Sequence, residues 1–475
     1  MKYHREHPIR ILSRTSHFAI LLLLPVLRAL FFSGGSLYQW ISGVWIDLLV
    51  VIGILLLGWM VWFFDVYQLR ENGIYLFTGI FRVQRRCIPF SKMTTAIIER
   101  PWYLQMFGAA RLKLDTPVGG NRKLDLSLMV SNKDVGWMTE HFRPRQTPYT
   151  MPARVWSVAA LSLISSNSFT GVLFLSALIS QSGQILGAEF ERQVVDNFTK
   201  TAALLAFGIP PAAAILALLI ATGWLVSFLM NVMRYANFLV QSDHSLLTIQ
   251  TGIWMNKRTY YIETERVSFL EVRQTILTKV LRICSVLINT PGYGKTKGES
   301  PVLIPARSNR ASLRELEAFF PNLPFGKRNV RPRREDFSRF LVVPMNLSVA
   351  LLLAMLISQR LFPSFTTLIL FFSGMLAVLL ALYFITRILS FSRTGFGVKN
   401  GIYTLEYCRG FLFEKVCFPE SKLSKIHIRQ TFFQKRGNCC TVIFYTYGEK
   451  RRRHLIPNLP VTEVETALSS FLKTQ

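Results

Sequence analysis

Charge is what this sequence has least of. Only 17% of its 475 residues are Asp, Glu, Lys or Arg, where a soluble globular chain carries about a quarter. That excludes an ordinary soluble protein as a description of the whole. Cysteine is sparse too, and six in 475 residues exclude a small disulfide scaffold. There is no C-x-x-C pair, no pair of histidines at the i, i+4 spacing of a zinc helix, and no H-E-x-x-H, Walker loop or G-x-S-x-G motif. Acidic residues, 27 against 55 basic, are too scattered to offer a carboxylate pair. Catalytic residues, a cofactor and a metal site are therefore not expected. The Gly-rich stretch 292–298 looks like a phosphate cradle, but no helix follows it, so it reads as a hairpin loop.

What the chain does have is apolar length. Hydrophobic residues make up 51%, with 37 Phe and a mean hydropathy of +0.32. Six stretches of about the 20 residues needed to cross a bilayer run near 18–33, 43–64, 155–180, 203–230, 340–359 and 365–388. Short connections group them into three hairpins. The connection around 33–40 is uncharged, that around 180–201 carries about −1, and that around 360–364 is only a few residues long. The first 16 residues carry about +3, and segments 65–154, 231–338 and 389–475 carry about +7, +8 and +8. Nearly the whole net charge of +28 thus falls on one side, which the positive-inside rule assigns to the cytoplasm together with both termini. This placement explains the basic composition without nucleic-acid binding. A second span follows the first so closely that the first reads as retained rather than as a cleaved leader. All six cysteines fall on the inner side, where they stay reduced.

The three basic segments repeat one another. Each opens with strand-like runs, such as 73–77, 245–249 and 401–405, and then a glycine turn at Gly79, Gly252 or Gly410. A basic residue follows at Lys92, Arg266 or Lys422, and seven residues beyond each begin Glu99-Arg100-Pro101, Arg273-Gln274-Thr275 and Arg429-Gln430-Thr431. Leu303-Ile304-Pro305 and Leu455-Ile456-Pro457 lead into a last segment with apolar residues at helical spacing: Leu313, Leu316, Phe320 and Val461, Val464, Leu468, Phe471, Leu472, matched by Val135, Met138, Phe142 in the first copy. Each copy is predicted to be about seven antiparallel strands closed by one amphipathic helix.

That order of elements after a hairpin resembles the bacterial pleckstrin-homology (bPH) membrane proteins of the YdbS/YdbT type, and among them the longer, triplicated YdbT-like members. The similarity rests on His7-Pro8, the glycine turns, Ile88-Pro89-Phe90-Ser91-Lys92, the Arg-Gln pairs and the Ile-Pro before each last helix, and the first copy departs at Glu99-Arg100-Pro101. The fold class expected is membrane α + β: six transmembrane helices in three hairpins, each followed by a cytoplasmic PH-like β-sandwich or barrel capped by a C-terminal helix. The expected segments are a basic N-terminus with hairpin one (1–64), PH-like domain one (65–150), hairpin two (151–232), domain two (233–337), hairpin three (338–392) and domain three (393–475). The resemblance implies a bacterial inner membrane and work with a shorter, single-domain relative in envelope stress or antimicrobial-peptide resistance. It also implies a headgroup role for the domains, which fold alone does not guarantee.

Basic residues are the candidate contacts for anionic lipid or a protein partner: Arg82, Arg85, Arg86, Lys257, Arg258, Arg273, Gln274, Arg429, Gln430 and the run Lys450, Arg451, Arg452, Arg453. Each cation near an anionic leaflet contributes about 1 kcal/mol. Arg28 and Asp47 sit at similar depth in antiparallel spans and are expected to face each other. The readings left open are an assembly and binding protein, a transporter or lipid-moving protein, and a structural homo-oligomer of this chain with itself.

Overall fold

A computed structural model describes residues 3–15, 37–79, 83–116, 125–142, 149–166, 188–204, 211–243, 245–253, 256–293, 301–447 and 452–473. Three of its helices are long and apolar enough to cross a membrane: Ala217–Tyr235, Arg334–Leu361 and Pro363–Arg393. The last two pack against each other as a hairpin. Leu49–Phe64 is a shorter apolar helix, and the whole of the first expected span, 18–33, lies outside the described residues. One expectation is corrected here. Much of the connection expected at 180–201 is helix, Ala188–Leu204.

The strands fall into three series. The first comprises β1 (His4–Arg5), β2 (Val66–Arg70), β3 (Gly73–Thr78), β4 (Gln84–Pro89), β5 (Thr95–Pro101), β6 (Ala109–Asp115) and β7 (Leu126–Ser131). The second follows as β8 (Tyr149–Pro152), β9 (Leu239–Ser242), β10 (Leu246–Thr251), β11 (Asn256–Glu263), β12 (Phe269–Gln274), β13 (Ile283–Asn289) and β14 (Val302–Ser308). The third is β15 (Gly395–Lys399), β16 (Ile402–Arg409), β17 (Leu412–Pro419), β18 (Leu423–Arg429), β19 (Cys439–Thr446) and β20 (Arg452–Pro460). Setting aside β1 and β8, each copy has six strands among the described residues rather than about seven.

Local chemistry repeats with them. Gly79, Gly252 and Gly410 all take positive φ, which is why glycine recurs at that turn. A single 3-10 turn then carries Lys92, Arg266 or Lys422. After the fourth strand comes one helical turn: Trp102–Met106, Ile276–Val280 or Phe432–Arg436. Thr275 and Thr431 cap this turn in a reciprocal box, satisfying donors that the first helical turn leaves open. In copy one Pro101 stands there and offers no side-chain cap. The residue entering the next strand is left-handed in every copy: Gly108, Arg282 and Asn438.

Closing helices Asn132–His141, Asn309–Phe319 and Val461–Lys473 bury Val135 and Met138, Leu316 and Phe319, and Val464 and Leu468. The helical spacing of apolar residues thus marks the buried stripe, although Leu313 is 42% exposed. The N-terminal segment folds onto copy one: β1 pairs with β2, and the buried Glu6 carboxylate accepts from the Met129 amide at 3.1 Å and pairs with Arg10 at 3.0 Å.

Sheet order is the main finding. β1-β2-β3-β4 form one sheet and β18-β19-β20 another. Between them lie a sheet of order β7-β6-β5-β11-β10-β9-β8 and a sheet of order β14-β13-β12-β17-β16-β15. The second half of copy one thus continues into the first half of copy two, and the second half of copy two into the first half of copy three.

Candidate functional site: the joints between copies

Two strand pairs make the joints, β5 with β11 and β12 with β17, both antiparallel. Their registers are the same when counted from the basic residue of each 3-10 turn. At the first joint Ala96, fourth after Lys92, lies opposite Tyr261, fifth before Arg266. At the second, Leu270 and Cys417 hold the same two places relative to Arg266 and Lys422. That basic residue itself reaches back across the joint. Arg266 donates to the Ser91 carbonyl at 2.7 Å, and Lys422 donates to the Glu265 carbonyl at 3.3 Å.

Side chains interleave as well. Ile97 of copy one belongs to the core of copy two, Tyr261 of copy two to that of copy one, and Phe269 of copy two to that of copy three. Main-chain ladders fix the alignment, and exchanged apolar side chains supply the burial that holds it.

Each joint holds a buried carboxylate facing a guanidinium at one register position. Glu99 lies opposite Arg258 at the first joint and Arg273 opposite Glu414 at the second. Glu99 binds Lys113 at 2.6 Å, with Arg111 and Arg258 each at 3.9 Å. Burial pulls the Lys113 ammonium below its usual range, against the attraction of Glu99. At the second joint Glu271, its side chain 2% exposed, binds Arg452 at 2.7 Å and Arg273 at 2.9 Å, and Arg452 also reaches Glu414 at 3.5 Å. Burial, then the neighbouring Glu271 carboxylate, pushes the Glu414 carboxyl up.

Beneath this cluster His454 lies between Tyr407 (Oη to Nδ1, 2.8 Å) and Thr446 (Oγ1 to Nε2, 3.0 Å). Burial, with Arg452 and Arg409 nearby, pushes His454 down to about 3, so the ring is neutral at physiological pH. No set of three His, Cys, Asp or Glu side chains gathers in metal-binding fashion among the described residues.

The sequence-selected residues fall in different places. Arg258, Arg273 and Arg452 belong to the joints. Gln274 and Gln430 donate to the carbonyls of Ile283 and Cys439 at 2.9 and 3.1 Å, so the Arg-Gln-Thr motif holds the short helix against the next strand. Arg85, Arg86, Lys257, Arg429 and Arg453 are exposed. Arg86 donates to Gln84 at 2.9 Å, and Arg85 sits 5.9 Å from the centre of the Phe77 ring. Arg82, Lys450, Arg451, Arg28 and the Asp47 side chain lie outside the described residues. Sequence reading placed Glu99 at its repeat position without giving it a role, and missed Glu271, Glu414 and His454. The three carboxylates were detectable only by counting from the repeated basic residue.

The family model for the bacterial PH domain matches three times, over residues 19–135, 197–318 and 348–473. The chain belongs to the bacterial PH domain family. A relative in Bacillus subtilis (strain 168), the UPF0699 transmembrane protein YdbT, is 22% identical over 343 residues, covering 62% of this chain and 67% of the relative. No solved structure matches the chain. With its apolar helices, this makes the chain a YdbT-like membrane protein carrying three bPH copies.

Proposed function

We propose that this protein is a non-enzymatic assembly protein of a bacterial inner membrane, held there by six spans in three hairpins with both termini and the three bPH domains in the cytoplasm. One observation supports it most: the copies dock by adding strand to strand in a single register, and each joint carries its own charge lock. A chain whose domains bind each other this way is built to extend the same contact to another bPH protein. The partner is a shorter, single-domain relative, and the setting is envelope stress or defence against membrane-active peptides. Isolation of the tagged full-length chain from its host, with mass spectrometry of copurifying proteins, tests this. A single-domain bPH protein recovered in fixed ratio supports the reading, and its absence overturns it.

A second reading concerns lipid. Arg85, Arg86, Lys257 and Arg453 are exposed, and cations on cytoplasmic domains next to a bilayer favour anionic headgroups. Thermal unfolding in nanodiscs with and without phosphatidylglycerol measures this contact. A higher midpoint in the anionic discs that disappears at high salt supports it.

A further inference from the structure

The joint pattern runs out at the end of the array. Strand β18 is the third copy's equivalent of β5 and β12, yet among the described residues it pairs only with β19. No described strand pairs with its other edge, and Lys425, His427, Ile428 and Arg429 along it are exposed. Arg429 is seventh after Lys422, the place held by Glu99 and Arg273 at the two closed joints. The carbonyl of Ser421 corresponds to those of Ser91 and Glu265, which accept the bridging cation from the following copy.

We propose that the β18 edge takes up a strand of a second protein, and that this strand carries a carboxylate opposite Arg429 and a Lys or Arg eight residues later. The second joint supplies the template, since β17 carries Glu414 opposite Arg273 and Lys422 on the Glu265 carbonyl. Strand addition of this kind draws affinity from main-chain hydrogen bonds and specificity from alternate side chains. The β4 edge of another copy of this chain fits the backbone register and fails on charge. Continued in that register, it sets Gln84 opposite Arg429 and Arg86 opposite His427, with Arg85 beside them. All of these strands' charged residues are basic, and like charges across a pair oppose its formation. The proposal deepens the assembly reading and rests on it, but its test needs no natural partner. Failure here therefore removes this edge and leaves partner copurification as a separate question.

The probe is a fluorescent peptide of residues 412–419, Leu-Phe-Glu-Lys-Val-Cys-Phe-Pro. In the joint register its Cys417 falls opposite position 426 and its Glu414 opposite Arg429. The full-length protein in detergent, bearing Ile426→Cys, is oxidised mildly with this peptide and the products are mapped by mass spectrometry. A mixed disulfide at position 426 is expected. It should fall at least tenfold with Glu414→Lys in the peptide or Arg429→Glu in the protein, and return when both changes are combined. Because Ile426 touches the core, Ile428→Cys with a peptide in which Cys417→Ser and Lys415→Cys gives an independent pair on an exposed site. Three results would overturn the proposal: cross-linking indifferent to the Glu–Arg pair; no peptide cross-link although maleimide labels the new thiol; or a dominant disulfide from position 426 to Cys87 of another copy, which makes the occupant a second molecule of this chain.

Discussion

At the first joint the leading strand supplies the carboxylate, Glu99, and the following strand the guanidinium, Arg258. At the second joint the roles are exchanged, with Arg273 leading and Glu414 following. Backbone register is the same in both, so register alone does not determine which copy pairs with which. The exchange does. Pairing β5 with β17 in that register would set Glu99 against Glu414, and pairing β12 with β11 would set Arg273 against Arg258. Like charges directly opposite are unfavourable, and discrimination between similar partners rests on such repulsive alternatives as much as on attraction. Three similar copies in one chain are thus kept in sequence order by two opposite locks.

The comparison is most strongly broken at Glu271. Glu271→Ala leaves Arg273 and Arg452 without their buried carboxylate, and losing one member of a buried pair costs about 3–5 kcal/mol. A large drop in the unfolding midpoint of the detergent-solubilised protein is expected, smaller when Arg452→Met is added. A double variant no better than the single one contradicts the lock.

Acid separates the joints next. His454 has a folded value of about 3 against an ordinary 6.5. Above about 6.5 the ring is neutral in both states and has no effect on pH dependence. As pH falls from 6.5 toward 3 the unfolded chain takes up a proton that the folded chain refuses, so stability declines by about 1.4 kcal/mol per pH unit. Counting back from the shared Leu-Ile-Pro, Val302 stands where His454 does. His454→Val should therefore flatten this part of the acid profile. An unchanged slope would place the responsible group elsewhere.

Smaller effects sharpen the picture. Thr431→Ala removes the cap of the third copy's short helix, at about 1 kcal/mol, whereas the Pro101 position of copy one has no cap to lose. Arg258→Glu should cost up to about 1 kcal/mol by setting two carboxylates opposite each other, and adding Glu99→Gln should recover part of it. Chemical denaturation reads both changes.

Much of each copy was legible in the sequence, because its signals are local. Positive-φ glycines, the spacing of Lys92, Arg266 and Lys422, and the stripe of Val464 and Leu468 all act within a few residues. The alliance between copies was not. Alternation along a strand tells which face is buried and leaves open which edge it joins. Glu271 and Arg452 lie 181 residues apart, so Glu271 read as one of the scattered acids and Arg452 as one of a basic run. Arg273, Gln274 and Thr275 read as one surface motif, yet they divide their work between an ion pair, a carbonyl and a helix cap.

The claim that the copies join by strand addition in one register is tested most directly by disulfide trapping within the full-length chain. Val272 and Lys415 lie directly opposite each other across the second joint, within the geometry a disulfide needs. The variant with Val272→Cys and Lys415→Cys should form the 272–415 bond on mild oxidation. The variant with Val272→Cys and Phe413→Cys, two residues out of register, should remain reduced. Equal bonding in both variants, or none in the first with both thiols open to alkylation, would contradict the continuous sheet.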